Sequence, residues 1–217
     1  MKDRELIIVS VPTGPLEVNT YIAWYEGSGE CVVVDPAGEP QVTSILQING
    51  LTLKAILLTH GHFDHILGVA RLKKKTGAKV FISKTDACAL EGGRESLSYL
   101  FGIAVEPTKV DEYVSDGMVF TEAGITFRAL HTPGHTKGGM CYIVEDERVI
   151  FSGDTLFNLS YGRTDFPGGS ADELYESIMF RLFSLEGDYR VLPGHESETT
   201  LDFERKHNPC VRGGIMA

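Results

Sequence analysis

Six of the seven histidines fall in three short glycine-bearing turns, each placed directly behind an apolar run. His60-Gly61-His62-Phe63-Asp64-His65 follows the run at residues 54–59, and His131-Thr132-Pro133-Gly134-His135 follows 125–130. Pro193-Gly194-His195 follows 189–192, and Asp154 closes a fourth run at 149–152. Runs of this length, rich in β-branched residues, predict strands. Loops at strand ends are where a rigid scaffold can aim side chains at one point, and glycine lets the backbone approach closely. The placement suits metal ligands.

Further strands are expected at 6–11, 20–25, 31–35, 79–83 and 140–144, so strands occur in both halves. Helical spacing follows His65 through Ile66, Val69, Ala70 and Leu72, with Lys73, Lys74 and Lys75 at the C-terminal end. A second helix is expected from Ser170, where Ser170 and Glu173 form a capping box and Leu174, Ile178 and Leu182 share a face. Residues 91–107 show no clean period and read as a mobile connection or lid. With 217 residues, 42% of them hydrophobic, one domain spanning 1–217 is the expectation.

Composition narrows the partners. A net charge of −10 argues against a nucleic-acid surface and for small molecules. No apolar run approaches membrane-spanning length and no signal peptide is visible, so a cytoplasmic location is expected. Cys31, Cys88, Cys141 and Cys210 stand far apart, suggesting neither a thiolate metal site nor a disulfide framework.

In His60-x-His62 both side chains can point the same way from an extended segment, a chelating spacing, and Asp64 and His65 add two donors where a helix begins. Four donors in six positions suit ligands better than solubility or packing. His135 and His195 gain their meaning from this company. His131 reads as a residue orienting a ligand or as a satisfied structural histidine, and His207 as a solvated helix-end residue.

These blocks, with Ser152-Gly153-Asp154-Thr155-Leu156-Phe157, Gly162-Arg163-Thr164-Asp165-Phe166 and Leu192-Pro193-Gly194-His195-Glu196, resemble the metallo-β-lactamase superfamily. Within it they are similar to hydrolases of the glyoxalase II (hydroxyacylglutathione hydrolase) type. The resemblance covers nearly the whole chain and implies an αββα sandwich. It places His60, His62 and His135 on one metal, Asp64, His65 and His195 on a second, with Asp154 bridging. Two divalent ions are implied: zinc first, with iron and manganese also suited to mixed nitrogen and oxygen donors. A metal-bridging hydroxide, formed as the pKa of bound water falls toward about 7, would attack the bound carbonyl. Asp64 could also accept a proton. Acyl thioesters suit a site with no evident general acid, because a thiolate leaves without much protonation.

Arg163 stands where glyoxalase II carries a lysine beside its substrate; the residue reads either as a substrate-binding cation or as the salt-bridge partner of Asp165. Asp165 and Ser197 replace tyrosines that help bind glutathione, and the chain is expected to lack the C-terminal glutathione-binding domain. A β-lactamase proper would be expected to lack the bridging aspartate. Persulfide dioxygenases, which hold one iron on residues matching His60, His135 and Asp154, are the rival reading, and a non-catalytic metal-binding module is a third.

Overall fold

The computed structural model describes residues 4–213, so the ends of the expected 1–217 domain lie outside the described residues. The first sheet is built from β1 (Leu6–Thr13), β2 (Val18–Tyr25), β3 (Glu30–Val34), β4 (Thr52–Leu57), β5 (Lys79–Ser83) and β6 (Glu112–Val114), adjacent in that order. β1, β2 and β3 pair antiparallel, whereas β3 through β6 run parallel. Parallel neighbours need crossover connections, and helices supply them: α1 (Glu39–Asn49) links β3 to β4, and α2 (Phe63–Ile66) with α3 (Val69–Thr76) links β4 to β5.

The second sheet contains β7 (Val119–Glu122), β8 (Ile125–His131), β9 (Met140–Val144), β10 (Val149–Gly153), β13 (Arg190–Pro193) and β14 (Thr199–Thr200), with β11 (Leu156–Phe157) and β12 (Ser160–Tyr161) forming a small ribbon beside it. β10 pairs parallel with β13 and antiparallel with β9, and β9 pairs antiparallel with β8. The C-terminal ends of β8, β10 and β13 therefore share one edge.

Side-chain alternation explains the layers. In β3, Val32 and Val34 point inward with Ala55, Leu57 and Phe81 to meet Phe127, Tyr142, Phe151 and Leu192 of the second sheet. Cys31 and Val33 point the other way, under Val42, Leu46, Val69 and Leu72 of the helices. The outer face of the second sheet, Leu130, Cys141, Ile143 and Ile150, packs on Leu174, Ile178, Leu182 and Leu201. The result is helix, sheet, sheet, helix. β3 is buried on both faces, which is why it reads as a continuous apolar run.

Three expectations change in detail. The helix expected through 66–75 is interrupted: Gly68 donates to Pro36 O at 2.8 Å, and a Cβ there would stand 2.6 Å from that oxygen, so the chain turns at Leu67–Gly68 before α3. The helix after Ser170 forms as α4 (Ala171–Glu176) and continues as a π-helical turn through Ser177–Leu182. Ser170 Oγ accepts from the Glu173 N–H, and Leu174, Ile178 and Leu182 are buried as expected. Residues 91–107 follow a 3-10 turn at Ala87–Glu91 and contain two more, at Arg94–Ser96 and Ser98–Phe101. Two short helices, α5 (Leu201–His207) and α6 (Cys210–Gly213), follow β14. Among the described residues, no helix is long and apolar enough to cross a membrane.

Candidate metal centre

All seven candidate ligands gather at one rim of the sandwich. His60 and His62 leave the end of β4 in extended backbone, and Asp64 and His65 sit in α2. His135 lies in the loop after β8, Asp154 directly after β10, and His195 after β13. Gly194 makes the last approach possible, because a Cβ there would lie 2.3 Å from Asp154 Oδ1 and 2.7 Å from His65 Cε1.

Two clusters form, with one potential ligand atom from each residue and all such atoms within 4.8 Å of one another: His60, His62 and His135, and Asp64, His65 and His195. Asp154 lies between them. Its Oδ2 stands 3.5 Å from His135 Nε2 and 3.7 Å from His195 Nε2, while its Oδ1 stands 3.4 Å from His65 Nε2. A third grouping, Asp35 with His60 and His65, is spatially similar. Asp35 is already committed, since its Oδ1 accepts the Thr59 N–H at 2.8 Å and its Oδ2 accepts Thr59 Oγ1–H at 2.6 Å and His65 Nδ1–H at 2.9 Å.

These bonds assign the rings. With the Thr59 hydroxyl donating to Asp35, Thr59 Oγ1 accepts from His60 Nδ1 at 3.1 Å. His135 Nδ1 donates to Arg163 O at 2.7 Å. Each of His60, His65 and His135 thus has its Nδ1 proton occupied and presents Nε2 inward, the arrangement in which an outer partner orients a metal-binding imidazole. His62 is turned the other way, with Nδ1 2.8 Å from His135 Nε2. His60 Nε2, His65 Nε2 and Asp154 Oδ1 are buried with no hydrogen-bond partner. Orphaned buried polar atoms are rare, and three at one point match the donor set a divalent cation requires.

The electrostatics agree. Burial, reinforced by neighbouring histidines, pushes the His62 imidazole down to about 3 and His60 well below its usual range, so both stay neutral and keep a free lone pair. Burial opposes ionisation of Asp154, but the charge of His65 outweighs it and holds the carboxyl far below the usual range. Burial likewise opposes charge on His65, yet Asp154, Asp64 and Asp35 drive its protonation. A positive charge among these carboxylates stabilises them, and a metal ion supplies it more fully.

Two residues that the histidine pattern did not reveal complete the support. Asp35 braces His65 and Thr59, as described. Asp86 is also buried, and its Oδ2 accepts from Gly61 N–H at 3.2 Å and Thr136 Oγ1–H at 2.7 Å, tying the two histidine loops together. Each is an isolated carboxylate in the sequence; the only cue for Asp35 was its position at the end of an apolar strand. His131 donates to or accepts at no ligand; its Nε2 meets Lys137 O at 2.9 Å, which makes it a structural histidine. His207 packs on Phe203 at the end of α5.

Residues 13–195 match the model of the metallo-beta-lactamase superfamily. The chain belongs to that superfamily. It is 32% identical to hydroxyacylglutathione hydrolase GloC of Haemophilus influenzae over 93% of this chain and 96% of that protein. Among solved structures, BLEG-1 B3 metallo-beta-lactamase superposes with a TM-score of 0.90 at 34% identity, covering 95% of this chain and all of that one. TTHA1623 in a di-iron-bound form gives 0.82 at 37%, covering 93% and 98%. ETHE1 from Myxococcus xanthus gives 0.78 at 30%, covering 95% and 85%.

As a metal-dependent hydrolase of the metallo-beta-lactamase superfamily, the chain carries its site beneath a cavity of about 360 Å³. His62, Asp64, His135, Asp154 and His195 form part of its lining. Arg163 is at the same cavity, with Nε and Nη2 donating to the Asp165 carboxylate at 2.7 and 2.6 Å and its guanidinium carbon 3.9 Å from the Phe166 ring centre. Hence the salt bridge anticipated as one of two readings of Arg163 is present.

Proposed function

We propose that the centre holds two divalent metal ions, zinc or in its place iron or manganese, and hydrolyses small-molecule thioesters. The observation that carries this reading is the convergence of buried, unpartnered His60 Nε2, His65 Nε2 and Asp154 Oδ1 between two three-residue clusters. His60, His62 and His135 would hold one ion, Asp64, His65 and His195 the other, with Asp154 shared. When bound, such ions supply an activated water and positive charge for a developing oxyanion.

The chain's own groups do the rest. Asp35, Thr59 and the Arg163 carbonyl fix three imidazoles in one tautomer before any ligand arrives, so little reorganisation remains. Asp64, facing His195 Nε2 at 3.4 Å and lining the cavity, is placed to accept a proton from the attacking water. Among the described residues the cavity lining holds no cysteine, and its one serine, Ser160, has no hydrogen bond from its hydroxyl to a histidine or carboxylate, which fits direct attack by water. A thiolate departs without a general acid, favouring thioesters over amides, and the name of the Haemophilus relative supports the same bond class. Arg163, at the cavity mouth, is the candidate contact for an anionic portion of the thiol carrier, in competition with Asp165.

The ETHE1 likeness is compatible with one rival, an iron dioxygenase that would use only His60, His135 and Asp154. The second cluster favours hydrolysis. The test is an assay of metal-loaded protein, with and without oxygen, on small thioesters, a β-lactam and a persulfide. Thioester cleavage without oxygen is expected; oxygen-dependent persulfide oxidation with no thioester cleavage would overturn the proposal, and preferential β-lactam opening would replace its substrate.

A further inference from the structure

Outside the ligand cluster, the cavity wall is mostly hydrocarbon, with Ser160, Tyr161, Arg163 and Glu196 as its polar members. Phe63, Leu97, Phe101, Phe157, Phe166 and Leu16 face it. Phe63 and Phe101 meet as tilted rings with centres 4.7 Å apart, so the 3-10 segment that bears Phe101 is anchored on the helix that bears Asp64 and His65. Leu97 is 97% buried, though its backbone is left-handed at φ +59°, a conformation that costs a non-glycine residue energy and that recurs at ligand clamps. Leu16 and Phe101 remain 45% and 48% exposed at the mouth, apolar surface still open to an apolar ligand.

The charges point the same way. Two charged side chains line the cavity outside the cluster, Arg163 and Glu196. Arg163 is already paired by the two-pronged bond to Asp165, and Glu196 is an acidic side chain. The metal ions would be engaged by the thioester carbonyl and the attacking water, so an acidic acyl tail laid along the apolar wall would meet a negative side chain and an arginine already paired, and its desolvation there would go uncompensated.

We infer that the cavity selects thioesters whose acyl group is uncharged and apolar, a medium alkyl or an aryl group, packed against Phe63, Leu97, Phe101 and Phe166. The inference rests on the thioester reading above and adds the substrate class. The acyl arm is assigned to the wall because the leaving thiolate is stabilised by water and so favours the open mouth. Cleavage breaks the acyl C–S bond and forms a C–O bond to the water oxygen. The sulfur leaves with the electron pair and one water proton remains for Asp64 or solvent.

The test uses one neutral carrier, N-acetylcysteamine, bearing acetyl, butanoyl, hexanoyl, phenylacetyl or glutaryl groups, with metal-loaded full-length protein. Each buried methylene should raise kcat/KM roughly threefold to fourfold, hexanoyl and phenylacetyl should exceed acetyl by more than about thirtyfold, and glutaryl should fall below butanoyl. In parallel, calorimetry with S-alkyl thioethers, which lack the scissile carbonyl, should show affinity rising along the same series. Phe101→Ser should flatten both series and Phe101→Leu should restore most of the slope, with metal content and melting temperature reporting that each variant folds. Cleavage with no chain-length slope, or preference for glutaryl, overturns the inference while leaving thioester hydrolysis standing. A slope in thioether binding without cleavage of any thioester leaves the apolar subsite standing and overturns the reaction. Neither binding nor cleavage overturns both.

Discussion

The two ligand clusters face each other across Asp154, yet they are braced by different chemistry. His60 and His135 are oriented by neutral partners, the Thr59 hydroxyl and the Arg163 carbonyl, and both rings are buried. His65 is oriented by the Asp35 carboxylate, Asp64 is itself an anionic candidate ligand, and His195 is the most exposed of the five candidate histidine ligands, with a quarter of its side chain accessible. The first cluster is thus a neutral, nitrogen-only cage and the second an acidic one that opens toward solvent. A carboxylate behind an imidazole raises its basicity, so the second cluster compensates for exposure with charge.

The largest effect should come from the shared ligand. Asp154→Ala should abolish tight binding at both clusters and lower kcat/KM by more than the roughly 100-fold that loss of an outer partner costs, because one carboxylate faces both. Equilibrium dialysis against zinc reads this directly; retention of one tight site would show that the first cluster stands without Asp154.

Asp35→Asn should divide the clusters. It keeps the shape but replaces the charge behind His65, so affinity at the second cluster should fall roughly 10- to 100-fold while the first changes less. Competitive metal titration with a chelator resolves the two steps, and equal weakening of both would mean that Asp35 acts through Thr59 as much as through His65.

The metal-free protein provides a smaller contrast. In the unfolded chain His62 takes up a proton below its ordinary 6.5, whereas in the fold it resists until about 3. Its contribution to stability is complete above 6.5 and is lost as pH falls toward 3. Between pH 7 and pH 5 this one group should cost about 2 kcal/mol. Urea unfolding of metal-free wild type and His62→Gln at the two pH values isolates the difference; the same pH dependence in both would locate it elsewhere.

The smallest effect concerns Arg163. Its exposed pair with Asp165 carries little stability, so Arg163→Ala should leave the melting temperature nearly unchanged and reduce kcat/KM severalfold at most on a neutral thioester. Asp165→Asn should improve turnover of a carrier with an anionic thiol arm, by freeing the guanidinium. If both variants behave alike on neutral and anionic carriers, Arg163 contacts no substrate.

The contrast between clusters also marks what could be read from the chain alone. The candidate ligands were legible because they follow strands whose apolar runs are unmistakable, and because glycines recur where the backbones converge. The strands at 79–83 and 140–144 match β5 and β9 residue for residue. α1 was missed: only Val42, Leu46 and Glu39 are buried along it, with Pro40 in its first turn and Ile48 exposed, so its apolar face is thin. The short strands β6, β7 and β14 carry too few residues for a period to emerge. The interruption at Gly68 depends on Pro36, a contact no local pattern encodes. Asp35 and Asp86 escaped for a similar reason. Their partners lie 24 to 50 residues away, and a single carboxylate after a strand is as often a turn residue as a brace.

The central claim, two metal ions shared through Asp154, is tested most directly by counting metal in protein purified without added metal and assaying the same sample anaerobically for thioester cleavage. The account predicts two equivalents of zinc, iron or manganese per chain, with activity rising in proportion as the second equivalent binds. One tightly held iron in a fully active enzyme, unchanged by further metal, would contradict it.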